Sequence, residues 1–257
     1  MSCCYFNLSV YILFFLGNNM EEYDLTVLLI AYNEENFLEN CVKEVIRMVT
    51  PLHLKYEILI VENGSTDNTF NIAKKLSNEF PFIVAVHLDR PSGTNAIRKG
   101  YSIARGNIVA NLDVDLSTDM CHFKELIEHT KQYDVVAGSR FLDPSMVKRT
   151  SDRHFLSVVY NRVFLRGLLR SKLKDHGCGF RAVKREIGNE LYNQIKDNGF
   201  FGPNEFLIRA QRKGYRIKEF PVKWKENYRR VGPWRIFVTY IIPVIKLRIN
   251  QTFKKDQ

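Results

Sequence analysis

The chain has 257 residues, 45% hydrophobic and 26% charged, which excludes a disordered or fibrous protein and fits one large α/β domain or a domain with an appendage. The formal net charge of +10 is uneven: Arg209 to Gln257 holds 14 Lys and Arg against three acids, so residues 1–208 carry about −1. Such a basic end points to an anionic partner (phosphate, nucleic acid or lipid headgroups) unless it is simply a solvated tail.

Five cysteines, at positions 3, 4, 41, 121 and 178, are odd in number and lack zinc-like spacing, so reduced thiols are expected. The first apolar stretch, Tyr5 to Gly17, is short of the ~20 residues that span a bilayer and lacks a basic leader and a small-residue cleavage site. An interfacial anchor, a helix packed on the domain and an upstream extension all remain open for it. Next come five near-continuous apolar runs: DLTVLLI (24–30), YEILIVE (56–62), FIVAVHL (82–88), NIVANL (107–112) and YDVVAGS (133–139). They read as strands buried on both faces. Helical spacing fills the gaps at 34–49, 67–79, 95–104 and 119–131, and the alternation argues a mostly parallel sheet with helices on both faces.

In such sheets ligands bind beyond the C-terminal strand ends. Those ends carry AYNEEN, ENGSTDNT and DVDLSTD. Asp113 and Asp115, read as a continuation of their strand, would point to one side. Two carboxylates facing one spot call for a hard divalent cation, which also binds substrate phosphates. A solvated loop is the plain alternative for an isolated D-x-D, and the convergence of three polar strand ends favours the site.

Beyond residue 150, Ser151 to Arg170 reads as an amphipathic helix with Ser151 or Asp152 near its cap. CGFRAVKRE reads as a short extended segment, Asn204 to Lys213 as a helix, and YRIKEFPVKW (215–224) as an edge strand that tolerates Pro221. Trp234 to Asn250 is apolar with basic flanks and an internal Pro243, which suits an interfacial helix better than a spanning one.

The ordered set TVLLIAYNEEN, IVENGSTDNT, DVDLSTD and AGSRF resembles inverting GT-A glycosyltransferases of family two. KDHGCGFRAVKRE and FFGPNEFLIRAQRKGYRIKEFPVKW narrow the resemblance to dolichyl-phosphate mannose and glucose synthases, over roughly Leu25 to Arg235. The resemblance implies a GT-A, Rossmann-like domain over 23–228, an apolar extension over 1–22, and a basic, apolar membrane-associating segment over 229–257. It places Ile30, Tyr32 and Glu34 at the donor nucleotide, and Val61 and Asn63 at the base and ribose. Asp113, Val114 and Asp115 fall on the metal and diphosphate motif, with Ser117 completing a Mg2+ or Mn2+ shell. Arg140 falls near the sugar and acceptor phosphates, and Arg229 and Arg235 on a basic pair closing over the diphosphate. Asp115, Arg140 and Glu205 are the catalytic candidates, Glu205 as a base or else as an ordinary acid at a helix start. Arg140 or Arg153 would position a lipid phosphate.

The implied activity is hexose transfer, mannose favoured over glucose, from GDP-mannose or UDP-glucose to dolichyl or polyprenyl phosphate. The protein would sit peripherally on the cytoplasmic face of a membrane surface, with nucleic acid not among its partners. Two departures stand out: Glu62-Asn63 replaces the usual Asp-Asp, and Gly232-Pro233-Trp234-Arg235 replaces G-E-S-K, where Pro233 stiffens a closing loop. Cys178 is read as a packed residue, and His176 beside Asp175 as loop or acceptor-side packing.

A processive polysaccharide synthase would carry Q-x-x-R-W, and QRKGYR (211–216) lacks the Trp. A nucleotidyltransferase would need a basic, Gly-rich loop where AYNEENF is acidic. An RNA- or membrane-binding module using the basic tail leaves the strand-end motifs unexplained.

Overall fold

The computed structural model describes residues 23–143, 146–227 and 233–253. The Tyr5–Gly17 stretch and Arg229 lie outside them, and Arg235 is placed by its backbone alone. The central sheet contains β1 (Tyr23–Ala31), β2 (Tyr56–Glu62), β3 (Ile83–His87), β4 (Gly106–Leu112), β5 (Val135–Ser139), β7 (Arg181–Lys184) and β8 (Ile217–Pro221). A second, two-stranded sheet pairs β6 (Val147–Lys148) with β9 (Trp224–Lys225).

The central strand order is β3-β2-β1-β4-β7-β5-β8, parallel throughout except for β7, which runs antiparallel to both neighbours. The C-terminal ends of β1, β2, β4 and β5 therefore share one edge, as the alternating pattern predicts. The expected edge strand is β8, and Pro221 ends it, where its missing N–H is tolerated.

Alternation along β1 feeds two cores. Leu25, Val27 and Leu29 pack against α1 (Leu38–Val49), α2 (Thr69–Glu79) and α4 (Phe123–His129); Leu28 packs against α3 (Gly93–Ile103), α6 (Arg185–Gln194) and α7 (Gly202–Arg212). A third cluster joins Tyr160, Leu165, Leu169, Phe201 and Ile208 to Val244 of the C-terminal helix α8 (Pro233–Phe253).

Some element boundaries differ from expectation. The first helix begins at Leu38 rather than Glu34, because the Glu34 carbonyl accepts from the amides of Phe37 and Leu38 in a turn. The segment expected as one helix over 151–170 divides into α5 (Ser151–Val159) and a π-helix, Tyr160–Leu168. The wider register follows burial: Tyr160 and Leu165, five apart, both face the third core, and the Leu169 amide bonds back five residues to Phe164. The N-cap of α5 is Thr150, one residue before the expected Ser151 or Asp152, and the Thr150 side chain makes no capping bond. Sequence reading missed α6 and β6. Helix α8 leaves Ile242, Ile245 and Ile249 exposed, and no described helix is long and apolar enough to cross a membrane.

Candidate active site

Three strand-end loops build the site, and each turns through a left-handed residue: Asn33 after β1, Gly64 after β2 and Leu116 after β4. Asn and Gly accept that conformation readily, whereas for leucine it is strained by roughly 1–2 kcal/mol. The first two loops are laced together. Asn33 Oδ1 accepts from the Thr66 amide at 2.8 Å, the Asn33 amide donates to Ser65 Oγ at 3.0 Å, and the Glu34 amide donates to Thr69 Oγ1 at 2.7 Å. Much of the polar content of AYNEEN and ENGSTDNT thus holds the two loops to each other.

Glu62 and Asn63, the departure noted above, also organise backbone. Buried Glu62 accepts from the Ser65 amide at 2.6 Å and pairs with His87 Nδ1. Asn63 Oδ1 accepts from the Ser92 amide at 2.9 Å, tying the loop before α3 to the end of β2. Val61 and Val114 are buried in the core, so any contact they make with a nucleotide comes from their backbone. Ile30 and Tyr32 are half-buried near the end of β1, and Glu34 is buried beside them.

The D-x-D pair stands differently from the strand geometry expected for it. β4 ends at Leu112, and both aspartates lie in the turn beyond, closed by the Leu116 amide donating to the Asp113 carbonyl at 3.1 Å. Strand alternation therefore does not bring them together; the turn does. Asp115 Oδ1 accepts from the Ser117 amide at 3.0 Å, and Asn227 Nδ2 donates to the Asp115 carbonyl at 2.8 Å. The Asp113 carboxyl is pushed up to about 6, by burial first and the neighbouring Asp115 second, against the pull of Arg140 and Arg181. Ser117 lies in an open cleft of about 700 Å³, also lined by Lys148, Lys223, Trp224 and Lys225.

Asp113 rests on the Gly177-Cys178-Gly179 loop. A Cβ at Gly179 would come within 2.1 Å of Asp113 Oδ1, and one at Gly177 within 2.9 Å of Arg140 Nη2. Both positions therefore admit only glycine while the carboxylate and the guanidinium keep their places. Cys178 between them is buried and its thiol is pushed up to about 11, mainly by burial, which makes it a packing residue.

Arg140, at the end of β5, is buried and bound through Nε and Nη2 to Asp175 at 2.7 and 2.8 Å. Burial alone would weaken its hold on the proton, and Asp175 more than reverses that. Burial likewise lifts the Asp175 carboxyl, and Arg140 outweighs it, leaving it at about 2. The pair stays ionised at any working pH. His176 does not pair with Asp175: its Nδ1 meets Asn161 Oδ1 at 3.1 Å and its Nε2 meets Ser171 Oγ at 2.8 Å. Burial drives its pKa down to about 3, so the ring is neutral and structural.

The Arg140 guanidinium lies 5.4 Å from the Trp224 ring centroid and that of Arg149 5.2 Å from it. Arg153 pairs with Glu226. Glu205, the base candidate, is buried at the start of α7 and accepts from Arg209 Nε at 2.7 Å and Nη2 at 2.6 Å. Sequence reading passed over Gly179, Arg149, Arg181 and Trp224, and named Asp175 only as the neighbour of His176. Only the small-residue run GCG, between His176 and Phe180, signalled that something packs closely there.

A mostly parallel sheet with a carboxylate pair past one strand and a buried arginine past the next defines a GT-A glycosyltransferase domain. Residues 26–191 match the model of the family described as glycosyl transferase family 2, and the chain belongs to that family. It is 38% identical over 208 residues to glycosyltransferase AglD of Haloferax volcanii, covering 79% of this chain and 33% of that protein. It is 32% identical over 217 residues to a dolichyl-phosphate beta-glucosyltransferase of Trichomonas vaginalis, covering 79% and 66%. The chain thus spans a third of one relative and just under two-thirds of the other. The fold is shared with glucosyl-3-phosphoglycerate synthase from Mycobacterium tuberculosis, solved with UDP, at a TM-score of 0.61 and 20% identity over 89% of this chain and 79% of that one. It is shared also with a Pyrobaculum calidifontis mannosyltransferase solved with GDP-Man and Mn2+, at a TM-score of 0.59 and 19% identity over 91% and 65%.

Proposed function

We propose that the protein transfers a hexose, glucose from UDP-glucose, to a dolichyl or other polyprenyl phosphate with inversion at the anomeric carbon. The observation that carries this reading is the placement of the D-x-D turn against a buried, arginine-lined wall, Arg140 acting on the Asp113 charge from one side. A donor diphosphate and an acceptor phosphate both need such surroundings. The names of the relatives from Trichomonas vaginalis and Saccharomyces cerevisiae, both dolichyl-phosphate beta-glucosyltransferases, support glucose and the lipid phosphate. The mannose preference expected from sequence has no support from them.

Asp113 and Asp115 fit a hard divalent cation: they are close enough for one to hinder ionisation of the other, and their donor atoms are oxygens. Among the described residues no cluster of three or more His, Cys, Asp or Glu surrounds them, so diphosphate oxygens, water and Ser117 would complete a shell. Bound Mg2+ or Mn2+ would offset the charge that grows on the diphosphate as the glycosidic bond breaks. Arg140, fixed by Asp175, holds a preorganised positive charge beside the reacting centre, favouring the transition state over the ground state. The acceptor phosphate is already an anion at neutral pH and needs positioning more than deprotonation. Glu205, engaged with Arg209, is accordingly assigned to anchoring α7.

Membrane association is part of the same proposal. Exposed Ile242, Ile245 and Ile249 on α8, with Lys246 and Arg248 among them, suit a peripheral helix at a cytoplasmic lipid surface. The test is calorimetric binding of UDP and GDP, each with and without Mn2+. Mn2+-dependent binding of UDP in preference to GDP is expected; preference for GDP would restore mannose, and binding of neither would overturn the reading.

A further inference from the structure

Asp175 grips Arg140 at three points: its carboxylate accepts from the Arg140 amide at 2.9 Å and from Nε and Nη2 at 2.7 and 2.8 Å. A carboxylate in a loop holds a guanidinium only as firmly as the loop itself is held. Asp175 lies outside any helix or strand, between the π-helix and β7. Its bond to the Gly177 amide, at 2.9 Å, stays within the loop. At the Lys174–Asp175 peptide, the tie to the sheet is Glu219 of the edge strand β8.

Glu219 Oε1 accepts from the Asp175 amide at 2.8 Å, and Oε2 from the Lys174 amide at 2.8 Å. Two consecutive amides converge on one side chain, and a carboxylate offers an acceptor oxygen to each. A glutamine there would turn its NH2 toward one of them. The placement is otherwise unfavourable: Glu219 is half-buried, and among the described residues it forms no ion pair. Burial holds its carboxyl above the usual range against the pull of the two amides, and the nearby Asp175 charge adds to the rise. A second carboxylate beside Asp175 does little for the fold by itself, so its consequence lies in the amides it fixes. β8 runs parallel to β5 with Glu219 opposite Ala137, which brings the grip close to Arg140. Further along the same loop, the Gly179 amide supports the Asp113 carboxylate.

We propose that Glu219 is a positioning residue for transfer. By fixing the Lys174 and Asp175 amides it sets the Asp175 carboxylate, and through it the Arg140 guanidinium, where charge grows as the glycosidic bond breaks. The grip on the loop stands on the distances; its effect on catalysis rests on the function proposed above.

The test compares wild type with Glu219→Gln, Glu219→Asp, Arg140→Lys, and Glu219→Gln combined with Arg140→Lys. Glu219→Gln, equal in size and neutral, should lower kcat about tenfold or more with donor KM within about twofold, because Arg140 acts on the transition state. Its Tm should fall by only a few degrees. Glu219→Asp keeps both acceptor oxygens on a shorter stem and should retain more of kcat. In the Arg140→Lys background the forked grip on Asp175 is already gone, so Glu219→Gln should lower kcat less than about twofold. Trp224 supplies a readout that needs no turnover. With the only other tryptophan removed by Trp234→Phe, its emission should shift in Glu219→Gln, because the Arg140 guanidinium lies against its ring. A kcat within about twofold of wild type, or equal losses from Glu219→Gln with and without Arg140→Lys, would overturn the proposal. If wild type forms no glycolipid from either donor, the proposed function fails and Trp224 emission alone decides the positioning: a shift upholds it, and an unchanged spectrum overturns it.

Discussion

The two sides of the site are built in different ways. On the side proposed for the donor, the loops after β1 and β2 are adjacent, short and laced by backbone-to-side-chain bonds such as Thr66 to Asn33 and Glu34 to Thr69. On the side proposed for the acceptor, Arg140, Arg149, Asp175 and Trp224 come from four separate segments and are held by a buried ion pair and cation–π contacts. A local motif can fix the first kind of site, whereas the second exists only once the chain has folded. Mutations should therefore separate chemistry from stability on the donor side and join them on the acceptor side.

The largest effect is expected at the D-x-D turn. Asp115→Ala should lower kcat by about a thousandfold, as loss of a main electrostatic stabiliser does, while circular dichroism and Tm stay close to wild type. Asp175→Asn should do the reverse in order of severity. Leaving Arg140 buried without its carboxylate costs about 3–5 kcal/mol, to be read by urea denaturation, with activity falling as a consequence. Gly179→Ala sharpens the contrast. The added methyl must displace Asp113, and a shift near 1 Å should cost about a hundredfold in kcat with a modest loss of stability.

These sites also mark what the sequence made legible. The first five strands, the sheet edge they share and the D-x-D pair were readable, because buried strands leave apolar runs and strand ends leave polar ones. The carboxylates were found by their spacing although the reason first given, strand alternation, was not the one that operates. Asp175 was visible only as a neighbour of His176, since nothing in the local sequence says that a carboxylate 35 residues away will grip Arg140. The π-helix was equally hidden: its widened turn is set by the third core, not by propensity within Tyr160–Leu168.

Smaller effects follow from titration. The His176 pKa of about 3 lies below its ordinary 6.5, so the unfolded chain takes up a proton that the fold refuses. That contribution to stability is present above pH 6.5 and is lost as pH falls toward 3. Asp113, at about 6 against an ordinary 3.8, acts in the opposite sense: its contribution declines as pH rises from 3.8 through 6. Asp113→Asn should therefore raise the Tm of the metal-free protein at pH 7–8 while abolishing transfer, and a Tm series across pH in both proteins checks the sign. The smallest effect is expected from Ile242→Ser with Ile245→Ser, which should weaken partitioning to anionic vesicles several-fold and leave turnover of a short, soluble acceptor unchanged.

The central claim is that the D-x-D turn and the arginine wall together join a sugar to a lipid phosphate. The most direct measurement is a transfer assay with Mn2+, a short polyprenyl phosphate and either UDP-glucose or GDP-mannose, run on wild type and Asp115→Ala and read as glycolipid formed. The account predicts product from UDP-glucose with wild type and none with Asp115→Ala. Equal product from both proteins, or no product from either donor, would contradict it.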